Sequence, residues 1–228
     1  MSEAPPIVLV HGWGGSFLGT WANTGWREAF ANAGRAVVAI DLPGHGRAPA
    51  SHDPAAYADL ASALDEMLPD GALDILGFSL GGKLVLELAC RRPDRFRRLA
   101  VAGLGDGAFK ETGGEALSEA LLTGFTAESR AKTPAIAAYI DESPSDYRAI
   151  AAVLRRPTNP ITSAERLGAI TSEIAIINGD ADTVAIPDEK LRAARPRAQY
   201  VSLPGVVHFS MHRQPSFMRA ALDYFTWT

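Results

Sequence analysis

The segment Gly77-Phe78-Ser79-Leu80-Gly81-Gly82 places a serine between glycines, directly after the apolar run Ala72-Leu73-Asp74-Ile75-Leu76 and ahead of a helical pattern. A sharp strand-to-helix turn forces such a serine into a strained backbone conformation that exposes its hydroxyl, and only small residues two positions either side leave room for it. The same turn aims the Leu80 N–H and the positive end of the following helix at whatever Ser79 attacks. A serine hydroxyl is a poor nucleophile until a neutral imidazole takes its proton and a carboxylate orients that imidazole. The chain must therefore supply a histidine and an acid.

Of the five histidines, only His208 and His212 lie in the last strand–loop–helix unit. His208 sits in the loop Pro204-Gly205-Val206-Val207-His208-Phe209 and is the candidate base, with a buried structural histidine as the alternative. His212 starts a helical pattern and is expected as a capping or exposed residue. The acid candidates are Asp180 and Asp182, in Ile177-Asn178-Gly179-Asp180-Ala181-Asp182 just past a strand pattern. Asp182 is favoured, because Asp180 directly follows the turn at Gly179 and nearby backbone N–H groups can satisfy its carboxylate. The same turn role is open to Asp182. His11 is expected to hold its loop by hydrogen bonds, and His45 to pack in a loop.

These residues need a scaffold that brings distant segments together. Apolar, β-branched runs at Ile7–Val10, Ala36–Ile40, Ala72–Leu76, Leu99–Ala102, Ile174–Ile177 and Gln199–Leu203 read as strands. They alternate with helical patterns at Thr20–Ala33, Pro54–Leu68, Leu80–Arg91 and Ser216–Phe225, as in βαβ units. Runs apolar at nearly every position suit parallel strands covered on both faces. From about Gly105 to Gly168, roughly sixty residues carry helical periodicity without a convincing strand, too long for a bare loop. They read as a helical lid inserted between core strands, with Glu115–Leu122 and Tyr147–Leu154 as its clearest helices. The expected domains are thus a core of residues 1–104 and 169–228 with a lid of 105–168. In a doubly wound sheet, ligands bind beyond the carboxyl ends of the strands, and His11-Gly12-Trp13, Ser79, Asp182 and His208 each follow a strand pattern.

The order Ser79, Asp182, His208, with His11-Gly12 after the first strand, resembles the alpha/beta-hydrolase family over nearly the whole chain. Asp41-Leu42-Pro43-Gly44-His45-Gly46 is similar to that family's loop after its second parallel strand, and Gly179-Asp180-Ala181-Asp182 to its acid turn. The resemblance implies a mainly parallel sheet flanked by helices, Asp182 as the acid, and an oxyanion hole from the backbone N–H groups of Trp13 and Leu80. The chain departs from the family at its start, close to the first parallel strand, so about six strands are expected without an antiparallel N-terminal hairpin. Val207 stands where relatives often place glycine, which predicts crowding in the His208 loop. The run His11-Gly12-Trp13-Gly14-Gly15 lacks the His-Gly-Gly-Gly of one lipase and esterase branch.

Composition narrows the field. The chain has 228 residues, 47% hydrophobic and 21% charged, as befits one globular domain with a substantial core. A net charge of −4 with short basic pairs argues against a nucleic-acid-binding face. The single cysteine, Cys90, excludes an internal disulfide and a multi-cysteine metal site, and is expected as a small buried side chain. No signal peptide or membrane span is apparent, so a cytoplasmic location is expected. The expected chemistry needs no cofactor and no metal: a serine hydrolase cleaving a small or medium carboxylic ester through an acyl-enzyme on Ser79. Thioesterase, carbon–carbon bond hydrolase and lyase chemistry can use the same three residues, and a non-catalytic ligand-binding receptor could keep the same pocket. Phe109, Phe125 and Tyr139 read equally as pocket lining and as lid–core packing.

Overall fold

Runs that are apolar on both faces become strands covered on both faces. The computed structural model describes residues 4–110, 114–157 and 162–226. Among these, β1 (Ile7–Val10), β2 (Val37–Ala39), β3 (Leu73–Phe78), β4 (Phe96–Ala102), β5 (Glu173–Gly179) and β6 (Gln199–Leu203) form one sheet. Its order is β2-β1-β3-β4-β5-β6, and every neighbouring pair is parallel. Alternation along each strand divides the core in two. Val8, Ile75 and Val101 point to one face, against Leu60 and Leu64 of α2 (Leu60–Met67) and Val85 of α3 (Leu80–Arg91). Ile7, Leu76 and Ala100 point to the other, against Trp26 and Phe30 of α1 (Trp26–Asn32) and Phe217 of α10 (Pro215–Thr226).

Two expected helices divide. The stretch Thr20–Ala33 is a π-helical turn, Phe17–Ala22, followed by α1, because Gly25 adopts a left-handed backbone (φ 82°) that no regular helix continues through. The stretch Pro54–Leu68 is a 3₁₀ turn, Pro54–Tyr57, and then α2, which Asp59 caps by accepting from the Ser62 N–H at 3.1 Å. Between β4 and β5 run α4 (Glu115–Leu122), α5 (Ala127–Lys132), α6 (Pro134–Asp141), α7 (Tyr147–Leu154) and α8 (Ala164–Gly168). The first and fourth of these match the expected bounds. Leu121, Phe125, Ile140 and Ile150 form a small core of their own, on which Trp13 packs from the loop after β1. A short α9 (Glu189–Ala194), absent from the sequence expectations, lies between β5 and β6. No helix among the described residues is long and apolar enough to cross a membrane.

At the amino-terminal edge of the sheet, Asp74 is fully buried and accepts from Arg35 at 2.6 Å, from Arg97 and from the Arg98 N–H. Arg35, itself buried, also donates to the carbonyls of Pro5 and Phe225, so one ion pair ties the first strand's entry to the last helix. Removing one partner leaves an uncompensated buried charge. Asp74→Ala is therefore expected to lower unfolding free energy by about 3–5 kcal/mol, read from the shift in a urea denaturation midpoint at unchanged slope.

Candidate active site

Strand order reverses between β1 and β3, which have β2 on one side and β4 on the other, and this switch point opens a crevice at the carboxyl ends of the strands. Ser79 stands there, at the join of β3 and α3, with φ 52° and ψ −113°. Such a conformation costs about 1–3 kcal/mol for a residue with a side chain and persists only where its surroundings enforce it. The Ser79 N–H donates to the Ala102 carbonyl at 2.8 Å, locking the turn to β4. Close backbone approach explains the flanking glycines. A Cβ on Gly77 would stand 2.6 Å from the Gly82 nitrogen, and one on Gly81 would stand 2.6 Å from the His11 carbonyl oxygen.

Ser79, His208 and Asp182, 129 and 26 residues apart along the chain, meet in one hydrogen-bonded chain. The Ser79 hydroxyl lies 3.0 Å from His208 Nε2, and His208 Nδ1 lies 2.8 Å from Asp182 Oδ2. A carboxylate only accepts, so the Nδ1 proton points at Asp182 and, in the neutral ring, the Nε2 lone pair faces the hydroxyl. Asp182 is wholly buried, and its Oδ1 accepts from the N–H groups of Val184 and Ala185, each at 2.9 Å. These two bonds fix which oxygen faces the imidazole. Asp180 is turned elsewhere: its Oδ1 accepts from the Gly205 N–H at 2.7 Å, clamping the loop after β5 to the loop after β6. The expected crowding at Val207 does not occur, because its backbone is extended (φ −103°) and the residue is 46% exposed.

His11 is fully buried, donates through Nδ1 to the Gly12 carbonyl at 2.8 Å and accepts the Leu42 N–H on Nε2 at 3.0 Å. Burial holds its pKa below the ordinary imidazole value, so it is a neutral brace between the loops after β1 and β2. His45 packs 5.3 Å from His11, ring to ring, and burial pushes its pKa down to about 3. His212 departs from expectation. It is buried, not exposed, in the turn His208–Arg213 ahead of α10, and its Nε2 pairs with Glu142 at 2.9 Å. The Cys90 thiol is half-buried and burial raises it to about 11, an inert group.

The model of a family described as the alpha/beta hydrolase family matches residues 7–221. The chain belongs to the alpha/beta hydrolase family. The chain is similar to a pimeloyl-[acyl-carrier protein] methyl ester esterase of Neisseria meningitidis serogroup B, 38% identical over 103 residues that cover 42% of the chain and 34% of that protein. It is also similar to a 2-hydroxy-6-oxo-2,4-heptadienoate hydrolase of Pseudomonas putida, 37% identical over 116 residues covering 48% of the chain and 41% of that protein. The matched stretch thus spans about a third to two fifths of these curated relatives. Among solved structures, the enol-lactonase of Burkholderia xenovorans LB400 shares the fold, with a TM-score of 0.72 and 24% identity over 99% of this chain and 93% of that one.

Sequence reasoning left the contacts of several neighbours of the site undefined. The Trp13 indole Nε1 donates to the Ile150 carbonyl of α7 at 2.8 Å, tying the loop after β1 to the helices that follow β4. Phe125 is buried against Tyr147, so packing accounts for it. Tyr139 is buried beside the Gly12–Gly15 loop, with Thr20, Glu142 and His212 around it. Neither Phe125 nor Tyr139 lies in a motif, and Tyr139 reaches the Gly12–Gly15 loop only when α6 folds onto the sheet.

Proposed function

We propose that this hydrolase cleaves a small or medium carboxylic ester through an acyl-enzyme on Ser79. The observation that carries the reading is the hydrogen-bonded chain from the Ser79 hydroxyl through His208 to buried Asp182. Ser79 Oγ attacks the ester carbon as His208 Nε2 takes its proton, and Asp182 steadies the imidazolium. His208 then returns that proton to the departing alkoxide. Water, deprotonated by the same nitrogen, attacks the acyl carbon and releases the acid and Ser79. The backbone N–H groups of Trp13 and Leu80 hold the oxyanion. Leu80 opens α3, where N–H groups have no acceptor within the helix and the helix dipole favours negative charge. No hydrogen bond occupies the Trp13 backbone N–H among the described residues.

Residues 105–168 act as the lid, with the core formed by 1–104 and 169–228. Support comes from the loop after β1, whose Val10 and His11 carbonyls lie against Gly81 of the serine turn while the Trp13 indole bonds to α7. The relative that acts on a methyl ester favours an ester bond, and the Pseudomonas putida relative keeps carbon–carbon cleavage as the second reading. A scan of p-nitrophenyl esters of increasing acyl length tests the choice. Turnover is expected with an initial burst of nitrophenol and an optimum at short or medium length. A folded enzyme inert across the series overturns the ester reading and moves carbon–carbon hydrolysis, a lyase or a receptor ahead of it.

A further inference from the structure

We infer that Tyr139, carried by α6, is a positioning residue that braces the Gly12–Gly15 loop against Thr20 and so sets the oxyanion-binding side of the site. The inference rests on the acyl-enzyme reading above. Its ground is geometric. Tyr139 is 2% exposed, and its hydroxyl lies 3.2 Å from Thr20 Oγ1. A Cβ on Gly15 would overlap the Tyr139 hydroxyl oxygen and stand 2.7 Å from Thr20 Oγ1. The two hydroxyls therefore fill the space against the loop backbone, which the Gly15 N–H closes as a turn by donating to the Gly12 carbonyl at 3.1 Å.

The ring of the same tyrosine reaches the other two parts of the site. It packs 6.3 Å from Phe78, which precedes Ser79, and 5.9 Å from Phe209, which follows His208. Behind it, His212 makes an edge contact at 5.3 Å and pairs with Glu142, which Arg213 also engages, so the end of α6 is fastened to the turn that carries His208. Burial pushes the phenol far above its ordinary range, leaving a neutral hydroxyl able to donate and accept. Trp13 holds the same loop from α7. A loop clasped this way presents the Trp13 N–H without rearrangement when charge develops, which is how a fixed donor gains its effect.

The test reads oxyanion placement without a natural substrate. An alkyl p-nitrophenyl phosphonate reacts by attack of Ser79 Oγ on phosphorus, with loss of p-nitrophenolate and transfer of the serine proton to His208, and its phosphoryl oxygen occupies the oxyanion position. Inactivation kinetics and mass mapping of the label at Ser79 are compared for wild type, Tyr139→Phe, Thr20→Val and the double variant. Tyr139→Phe keeps the ring packing, and Thr20→Val removes the partner hydroxyl at equal volume. Each single variant is expected to slow kinact by about 10- to 10²-fold with KI unchanged, and the double variant to be no slower than the slower single. A Tyr139→Phe or Thr20→Val protein that melts like wild type and keeps its kinact overturns the inference, as does a loss confined to KI. If wild type itself takes no label at Ser79, the acyl-enzyme reading falls and the inference with it, whereas a labelled wild type beside equally fast variants removes the inference alone.

Discussion

Ser79→Ala is expected to lower kcat on p-nitrophenyl esters by about 10⁴-fold or more while leaving the fold in place. The magnitude follows from what survives: backbone donors and the binding crevice alone retain only residual rate acceleration. The fold survives because the hydroxyl's hydrogen bond among the described residues is to His208, at 3.0 Å, and His208 keeps its bond to Asp182. The strained φ of 52° is imposed by the Ala102 contact and the flanking glycines, which alanine leaves untouched. Paired measurements of steady-state kcat and of thermal unfolding by circular dichroism check this. A variant that melts like wild type and keeps its turnover would dismiss Ser79 as nucleophile.

Asp182→Asn is expected to cost about 10⁴-fold in kcat, against less than about tenfold for Asp180→Asn. The Val184 and Ala185 N–H groups both bond one carboxylate oxygen, so an asparagine there would keep its carbonyl oxygen toward them. Its NH₂ would then face His208 Nδ1, which could only accept, and the ring proton would move to Nε2. An Nε2–H cannot take the serine proton, so the base is lost with little change in shape. In Asp180→Asn the new side chain would still accept the Gly205 N–H through its own carbonyl oxygen, and the clamp between the two loops would persist. Parallel kinetics of the two variants decide the matter, and the reverse ranking would transfer the acid role to Asp180.

Much of this site was legible because its chemistry is encoded locally. Gly77 and Gly81 advertise a turn in which a Cβ would strike neighbouring backbone, and the apolar runs on either side are long enough to be read as strand and helix. Asp182 and His208 follow strand patterns by a few residues, which places both at one end of a parallel sheet whatever the details of packing. Less legible were boundaries set by single backbone choices, such as the left-handed Gly25 that divides the expected helix Thr20–Ala33. His212 was misjudged because its partner Glu142, 70 residues away, lies just past a helix with no motif to connect them.

The amino-acid sequence by itself determined the parallel layered architecture, the serine turn and the chain order Ser79, Asp182, His208, since each depends on residue type and short-range spacing. Only the tertiary structure decided which oxygen of Asp182 meets the imidazole, that Asp180 clamps two loops, and that Tyr139 stands against the Gly12–Gly15 loop. The reason is physical: those relations are contacts between segments brought together by burial of the sheet's two faces, and burial is indifferent to separation along the chain.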